Sequence, residues 1–518
     1  MSRWYIYLIP TFFGVVLLAS LGSCRKDFEY NASTGNLEFS KDTVFLDTIF
    51  TTIGSSTYTL KVYNRSNNDL YIPSIGLENG QESGYRLNVD GLAGKEFVDV
   101  PLLAKDSLFV FIETTFNLGQ TSENEFLYTD AIVFGSGSNT QKVQLVTLVK
   151  DAVFLYPRKF SDGTNETLVL GSDENGDEIR VDGFFLDSDE LLFTNEKPYV
   201  IYGYAAIPEN NTLTIEAGAR VHFHNDSGLL VENEASLLIN GLLSEDQELL
   251  ENEIIFEGDR LESSYAQQPG QWGTVWLRAG SINNEINYLT IKNATVGLRI
   301  EGDEILEAPT LTLKNSQIYN SSNINIWATT ANLMAENVVV GNAKDYSFYG
   351  ELGGKYSFIH CTMANYWRNG PRSGATLRLD NGIEFPTGET GTENLENADF
   401  ANCIIAGNLP IELELVQDTQ AEFNFKFKNC ILQYQDSNDG NENNPLFDFE
   451  NIDLYENIIL NEEPDFLNPT ENQFQIGRNS SAINKADINF STQVPMDILG
   501  TERTQNPDIG AYQYVSEN

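Results

Sequence analysis

Histidine, cysteine and positive charge are all scarce in this chain of 518 residues. It contains 3 histidines and 4 cysteines, and its 31 lysines and arginines stand against 75 aspartates and glutamates, a formal net charge of −44. Four cysteines exclude a scaffold built on disulfides, and three histidines leave little for a Ser-His-Asp triad. The negative charge argues against nucleic acid and anionic lipid as partners, because most of the surface would repel both.

The composition that remains is typical of a large β-protein. Hydrophobic residues make up 41% of the chain, enough for a sizeable core, so wholesale disorder is excluded. Forty glycines and sixteen prolines separate many short runs rich in Thr, Val, Ile, Phe and Tyr. These runs predict an all-β protein with numerous turns.

The first 24 residues predict export and a lipid anchor. Arg3 precedes an apolar run from Trp4 to Leu21, and two small residues then lead to Cys24, as in a signal peptide. Residues 21–24 resemble the lipobox of bacterial lipoproteins, which implies a signal peptide over 1–23, lipid on Cys24 and a tether over 24–36. An uncleaved anchor and an ordinary secretory peptide are the alternatives.

The lipobox resemblance also implies a location. It implies an outer-membrane lipoprotein of a Gram-negative bacterium, which touches the membrane through the N-terminal anchor only. The residues that follow, Arg25–Glu29, look similar to signals that send some such lipoproteins to the cell surface.

Residues 37–152 predict a β-sandwich. Short alternating runs such as Tyr58–Tyr63 and Leu70–Ile72 flank an Asn-rich turn, and no helical periodicity is present. The segment from Thr57 to Ile72 resembles the immunoglobulin-like modules that follow many bacterial lipoprotein anchors. No constellation in this region supports chemistry. Residues 153–197 are interpreted as a linking segment.

A repeat of about 22 residues dominates the rest of the chain. Polar residues that follow short strands recur at intervals of 22, 22, 23, 42 and 27 residues. A unit of this size with about three short strands predicts one coil of a parallel β-helix. Stacking coils about 4.8 Å apart would align equivalent residues, and stacked amides can satisfy each other and the turn backbone. The predicted ladder is Asn293, Asn315, Asn337, His360, Asn402 and Asn429. Cys361, Cys403 and Cys430 each follow a ladder position and should be buried, free thiols.

The early and late parts of this region resemble a known fold family. Thr212–Gly218, Val221–Phe223, Leu229–Val231 and Leu237–Gly241 resemble the first coil of right-handed parallel β-helix proteins, and Asp497–Arg503 with Pro507–Tyr512 resemble the end segment of many pectate-lyase-like surface proteins. The resemblance implies a right-handed parallel β-helix over 198–514 with a C-terminal cap. It says little about activity, because this fold hosts lyases, hydrolases, adhesins and stalks.

Strand alternation then predicts one outward strip with binding potential. If Val275 and Leu277 fill the core, their neighbours face solvent, and the match between Thr274–Arg278 and Thr295–Arg299 extends the strip over later coils. Aromatic rings suit sugar faces, and guanidinium groups suit carboxylates. The alternative is structural: the rings would lie under loops and the arginines would pair with local acids. The strip comprises Trp276, Arg278, Arg299, Trp327, Tyr349 and Arg378.

The sequence favours binding or structural presentation over catalysis. With 75 acidic side chains, a carboxylate pair signals almost nothing, and no lyase or polygalacturonase motif matches. A polysaccharide or a surface protein is the expected partner, with glycans the leading ligand class. The alternatives are a lyase or hydrolase of acidic polysaccharide and an adhesin or inert stalk. No cofactor is expected. The acidic loops Asp173–Glu178 and Asp436–Gly440 offer the oxygen ligands that Ca²⁺ prefers, although solvated turns are favoured.

Overall fold

The computed structural model describes residues 30–116, 125–173, 175–303, 307–384, 390–436 and 444–516. The predicted signal peptide 1–23 and the predicted lipidation site Cys24 lie outside these residues. The chain divides into two compact units between Lys150 and Asp151, and each is described by itself. Within the described ranges, no helix is both long enough and apolar enough to cross a membrane.

The first unit is a β-sandwich. Alternating residues of its strands, such as Leu60 and Val62, Leu108 and Val110, are buried between the two sheets, as the period of two dictates. Sheet A contains Asn31–Ala32, Thr43–Phe50, Leu70–Leu77, Glu96–Leu102, Glu125–Phe134 and Gln141–Lys150. Sheet B contains Glu38–Phe39, Tyr58–Tyr63, Tyr85–Val89, Leu92–Gly94 and Ser107–Thr114. Short 3₁₀ turns lie at Gly80–Glu82 and Gly137–Asn139.

The second unit is a parallel β-helix with three sheets. Sheet C contains Val153–Leu155, Tyr199–Ile201, Arg220–Phe223, Ile254–Gly258, Leu289–Lys292, Gln317–Tyr319, Val339–Gly341, Thr362–Asn365, Ile404–Gly407, Ile431–Leu432 and Ile459–Leu460. Sheet D contains Thr167–Ser172, Glu178–Phe185, Tyr204–Ile207, Gly228–Val231, Val275–Leu277, Val296–Glu301, Ile324–Thr329, Phe348–Glu351, Leu377–Asp380 and Leu413–Val416. Sheet E contains Leu192–Phe193, Thr212–Glu216, Ser236–Asn240, Asn284–Asn287, Leu311–Lys314, Asn332–Glu336, Gly354–Ile359, Leu395–Ala401, Lys426–Lys428 and Tyr455–Glu456.

Stacked apolar side chains fill the interior of this helix. Phe358, Phe400 and Phe427 lie on successive strands of sheet E, with ring centroids 5.0 and 4.6 Å apart. Such contacts require that successive coils place equivalent side chains above one another. The predicted fold class, an N-terminal β-sandwich followed by a parallel β-helix, is confirmed.

Three predicted segment roles need correction. Residues 153–197 are not a linking segment, because they supply the first strands of all three sheets, with Val153–Leu155, Glu178–Phe185 and Leu192–Phe193 paired in parallel to the next coil. Part of the predicted tether 24–36 belongs to the sandwich, since Asn31–Ala32 pairs with sheet A. The region predicted as a C-terminal cap lies along the side of the helix, as described below.

The polar ladder exists, but Asn293 is not part of it. Asn337 donates to Asn315 across 2.9 Å, and Asn402 donates to His360 across 2.9 Å. These residues follow successive strands of sheet E, and all adopt positive φ, where Asn is better tolerated than most residues. Asn293 follows a strand of sheet C instead and accepts from Asn320. The corrected ladder is Asn315, Asn337, His360, Asn402, Asn429 and Asn457.

The three thiols beside the ladder are free and fully buried, as predicted. The backbone N–H of Cys403 donates to the Cys430 sulfur across 3.4 Å. Burial raises the pKa of the Cys403 thiol well above its usual range. A protonated, enclosed thiol behaves as a small hydrophobic side chain.

The chain after the last coil folds back along the outer face of sheet C. Phe474, Ile498 and Tyr512 pack on this sheet, and Asn337 and Asn402 of the ladder donate to the carbonyls of Met496 and Asp487. This returning segment contains the strands Phe466–Asn468 and Gln473–Ile476 and a short helix, Ile488–Ser491. It therefore covers the polar ladder rather than the end of the helix.

His360 also contacts this returning segment, through both ring nitrogens. Its Nε2 lies 2.9 Å from Ser491 Oγ, and its Nδ1 lies 3.3 Å from the carbonyl oxygen of Gly510. Burial and the nearby Arg503 guanidinium lower the pKa of His360 well below its usual range. The folded chain therefore keeps this ring neutral where an unfolded chain would protonate it.

Stability should consequently fall as the pH drops below about 6.5, the pKa of an unperturbed histidine. Above that pH both states are neutral and His360 contributes no pH dependence. Below it only the unfolded state binds the proton, which costs up to about 1.4 kcal/mol per pH unit. Denaturant unfolding of the wild-type chain and His360→Asn at pH 7.5 and 5.5 measures the effect, since Asn fits the ladder elsewhere. Equal pH dependence in the two chains would contradict the prediction.

Candidate functional site

Five of the six predicted strip residues form one outward column on sheet D. Strand pairing places Trp276 opposite Arg299, Arg299 opposite Trp327, Trp327 opposite Tyr349, and Tyr349 opposite Arg378. Their strand neighbours, such as Val275 and Leu277, are fully buried in the core. We call Trp276, Arg299, Trp327, Tyr349 and Arg378 the outer column.

Arg278 does not belong to the outer column. The predicted match of Thr274–Arg278 with Thr295–Arg299 is wrong by two residues, because Trp276 and not Arg278 is paired with Arg299. Arg278 instead binds Glu232 with a 3.0 Å ion pair and donates to the carbonyl of Leu170 across 2.8 Å. These contacts tie Arg278 to the first strand of sheet D, Thr167–Ser172, and to the residue that follows Gly228–Val231, which is a structural role.

Ring and guanidinium contacts hold the outer column together. The Arg299 guanidinium carbon lies 4.0 Å from the Trp276 ring centroid and 5.2 Å from that of Trp327. Trp327 stacks on Tyr349 with centroids 6.2 Å apart, and Arg378 lies 5.1 Å from the Tyr349 ring. Stacking occupies ring faces along the column, so ring edges face outward and the side chains are half-buried.

Carboxylates two residues further along each strand neutralise the arginines. Arg299 pairs with Glu301 at 2.9 Å, and Arg378 pairs with Asp380 at 3.1 Å and with Glu414 at 2.7 Å. Counting Glu232 and Glu351 as well, five carboxylates lie beside the three guanidinium groups of Arg278, Arg299 and Arg378. The structural alternative for the arginines therefore holds, and the face is net acidic.

A cleft of about 500 Å³ opens at the Trp276 end of the outer column. Trp276, Arg299 and Trp327 line one part of it, and the exposed carboxylates of Asp182 and Asp226 line another. The contributing strands run from Glu178–Phe185 to Ile324–Thr329, five strand spacings or about 24 Å. The cleft is thus elongated across several coils.

Tyr204 forms the floor of this cleft. A Cβ on Gly228 would come within 2.5 Å of the Tyr204 ring, and one on Gly273 within 2.3 Å of its hydroxyl. The ring therefore lies directly against the backbone at two glycines, where any side chain would displace it. Burial and the Asp226 charge raise the pKa of Tyr204. Its hydroxyl stays protonated at neutral pH and can donate a hydrogen bond.

Sequence reasoning missed Tyr204, Asp182 and Asp226. Asp182 lies within residues 153–197, which were interpreted from the sequence as a linking segment, so no strand of sheet D was predicted there. The signal for Tyr204 was the pair Gly228 and Gly273, whose missing side chains leave room for a ring. The carboxylates Glu301 and Asp380 could be found by alternation, because residues two apart share a face.

The two acidic loops that could offer ligands to Ca²⁺ gain no support from the described residues. Among the described residues, no group of three or more His, Cys, Asp and Glu side chains could hold a metal ion. In the loop from Asp173, the Asp173 carboxylate accepts the backbone N–H groups of Asn175 and Asp177 at 2.8 and 2.9 Å, which lowers its pKa. The second acidic loop lies largely outside the described residues.

No family profile and no curated protein sequence matches this chain. Solved structures with local likeness include the Agl-KA catalytic domain, at 10% identity over 73% of this chain and 76% of that one, with a TM-score of 0.28. The catalytic unit of a GH87 α-1,3-glucanase from Streptomyces thermodiastaticus matches at 12% identity over 72% and 83%, with a TM-score of 0.21. A PapD-like domain of human CEP192 covers 23% of this chain and 87% of its own length, at 10% identity and a TM-score of 0.16. Likenesses at scores this low say nothing about function.

Proposed function

We propose that this chain binds a neutral glycan in the cleft on sheet D, as a lipid-anchored protein of the bacterial envelope. The observation that carries the proposal is the composition of the cleft. An aromatic floor, Tyr204, lies beside the indole edges of Trp276 and Trp327, with carboxylates and a guanidinium group at the rim. The flat ring of Tyr204 suits the C–H face of a sugar, and the charged groups suit sugar hydroxyls.

The charge of the face selects against acidic polymers. Each arginine of the outer column already pairs with a carboxylate, which offsets the positive charge that a uronate would meet. Asp182 and Asp226 add further negative charge at the cleft, and the whole chain carries −44. Like charges at this density repel an anionic chain. A neutral glycan meets no such barrier.

A retention screen tests the proposed ligand class. The purified chain should be slowed by at least one neutral polysaccharide in affinity electrophoresis, and it should pass uronate polymers such as alginate and polygalacturonate unretarded at low salt. Retention on uronates alone would contradict the proposal. Retention on no polysaccharide would favour the adhesin or stalk instead.

Glycan hydrolysis is the second candidate, and one observation favours it. Asp182 and Asp226 are two exposed carboxylates in the same cleft; Asp182 lies on the strand Glu178–Phe185, and Asp226 lies in the turn before the strand Gly228–Val231, two strands further along sheet D. Inverting glycosidases hold their two carboxyl groups about 6.5–9.5 Å apart. Release of reducing ends from a retained glycan, lost in Asp226→Asn, would establish hydrolysis. Retention without release supports binding alone.

A further inference from the structure

A groove of about 530 Å³ lies within the first unit, and none of its lining residues lines the proposed glycan cleft. Phe109 and Phe111 form one wall. Both point outward from sheet B, because the residues between and beside them, Leu108, Val110 and Ile112, are buried in the sandwich. The two phenylalanines are 46% and 39% exposed, and their rings stack 6.2 Å apart.

Two further apolar side chains complete this surface. Tyr30 and Leu103 line the same groove and are 38% and 39% exposed. We call Tyr30, Leu103, Phe109 and Phe111 the apolar patch. Exposed aromatic side chains in a cluster mark a surface that meets an apolar partner, and aromatic residues are enriched where proteins meet the bilayer interface.

Both positive and negative side chains surround the apolar patch. Lys61 lies 5.0 Å from the Phe109 ring centroid, and Lys105 and Arg65 lie on neighbouring turns. Asp90 and Asp106 line the groove, and Glu38 pairs with Arg65 at 3.0 Å. Asp69, whose carboxylate accepts the Ala104 backbone N–H beside Leu103, adds a fourth anion to these three cations and three anions, so charges of both signs surround the patch. A zwitterionic lipid surface is not repelled by such a patch, whereas most of the chain would repel an anionic one.

Chain length fixes how far this patch can be from a lipid on Cys24. Tyr30 is the sixth residue after Cys24, and six residues span at most about 20 Å when fully extended. Because Tyr30 belongs to the patch, at least this edge of the patch stays within about 20 Å of Cys24.

We propose that the apolar patch docks on the zwitterionic bilayer surface that holds the lipid of Cys24. The inference rests on lipidation of Cys24 and is independent of the glycan cleft. It adds a second membrane contact to the anchor, with Phe109 and Phe111 as the inserted rings. The anchor supplies proximity, and the patch sets which side of the sandwich faces the membrane.

Site-specific probes on the full lipidated chain test this contact. Phe111→Cys provides a thiol for an environment-sensitive dye, because Cys361, Cys403 and Cys430 are buried and Cys24 carries the lipid. Phe45→Cys is the matched control, since Phe45 is 65% exposed on sheet A of the same unit. Both chains are reconstituted into phosphatidylcholine vesicles whose acyl chains carry bromine.

Bromine should quench the dye at position 111 at least about twofold more than the dye at position 45, because docked apolar faces insert about 5–10 Å. Adding Phe109→Asp should reduce quenching at position 111 to the level of the control. Equal quenching at both positions, or failure of the full chain to float with vesicles, overturns the proposal. So does a dimer in detergent that Phe109→Asp dissociates without any lipid quenching, which would assign the patch to a second copy.

Discussion

Arg372→Ala should lower the free energy of unfolding of the second unit by about 3–5 kcal/mol at neutral pH. Arg372 and Glu412 form an ion pair whose side chains are 3% and 0% exposed. The Glu412 carboxylate also accepts the Thr376 backbone N–H at 2.9 Å and the Leu409 backbone N–H at 2.7 Å. Removing the guanidinium leaves a buried carboxylate with no cation beside it, which is far costlier than losing an exposed pair.

The effect of Arg372→Ala should shrink in acid. Burial already raises the pKa of Glu412 above its usual value despite the opposing charge of Arg372. Without Arg372 the carboxyl group binds a proton at still higher pH, and the protonated form carries no unpaired charge. The difference between variant and wild type is therefore expected to be larger at pH 7 than at pH 4.5. A constant difference would point to lost packing rather than to charge.

Denaturant unfolding followed by tryptophan emission measures this prediction. Four of the five tryptophans, Trp272, Trp276, Trp327 and Trp367, lie in the second unit, and the fifth, Trp4, lies in the predicted signal peptide, so emission from a chain that begins at Cys24 reports on the second unit. Lys314→Ala is the matched control, because it breaks a 2.8 Å pair with Glu336 that is 44% and 26% exposed. That exposed pair should cost no more than about 1 kcal/mol. If both variants lose the same stability, the Arg372 pair has no special role.

The sequence predicted the coil and the outward face well, because both depend on simple periods. Side chains alternate along a strand, so an error of two residues in pairing leaves every side chain on its correct face. The match of Arg278 with Arg299 contained that error, yet the outward orientation of Trp276 and Arg299 was still correct. The predicted pairing of Arg278 with Arg299 was wrong, because Arg278 lies two residues beyond the outer column along the chain.

Similar local sequences explain the misplaced ladder residue. Leu289–Asn293 and Leu311–Asn315 share the same pattern of strand, lysine and asparagine and are 22 residues apart. They nevertheless lie on different sheets, because the first belongs to sheet C and the second to sheet E. Loops of unequal length let two corners of the helix use the same turn chemistry, so spacing alone cannot identify the corner. Both corners place a residue in the left-handed backbone region, which asparagine tolerates better than most residues.

The cleft was beyond sequence reasoning for a different reason. Its floor depends on Tyr204 lying over Gly228 and Gly273, which are 24 and 69 residues away along the chain. Only the register of the first coils brings these positions together. The chain contains 23 tyrosines, so the sequence alone does not single out Tyr204 as a binding residue.

Tyr204→Ala and Trp276→Ala together should abolish glycan retention. Truncating a central aromatic residue at a binding site costs about 2 kcal/mol or more, so each change should weaken binding about 30-fold. Tyr204→Phe should keep most of the affinity, because the ring face remains and only the hydroxyl is lost. Isothermal titration with the neutral glycan identified by the retention screen measures each affinity.

The design separates loss of a sugar platform from loss of the fold. Tyr63→Ala removes an aromatic ring from the first unit, where the Arg65 guanidinium lies 4.2 Å from its centroid, and it should bind glycan as the wild type does. Because Tyr204 also covers two glycines, thermal unfolding of each variant must accompany the titration. Weakened binding with an unchanged unfolding temperature assigns the ring to the ligand. Full affinity in the double variant would show that the glycan does not use this cleft, and the acidic rim with its outer column would then be only a structural face of the helix.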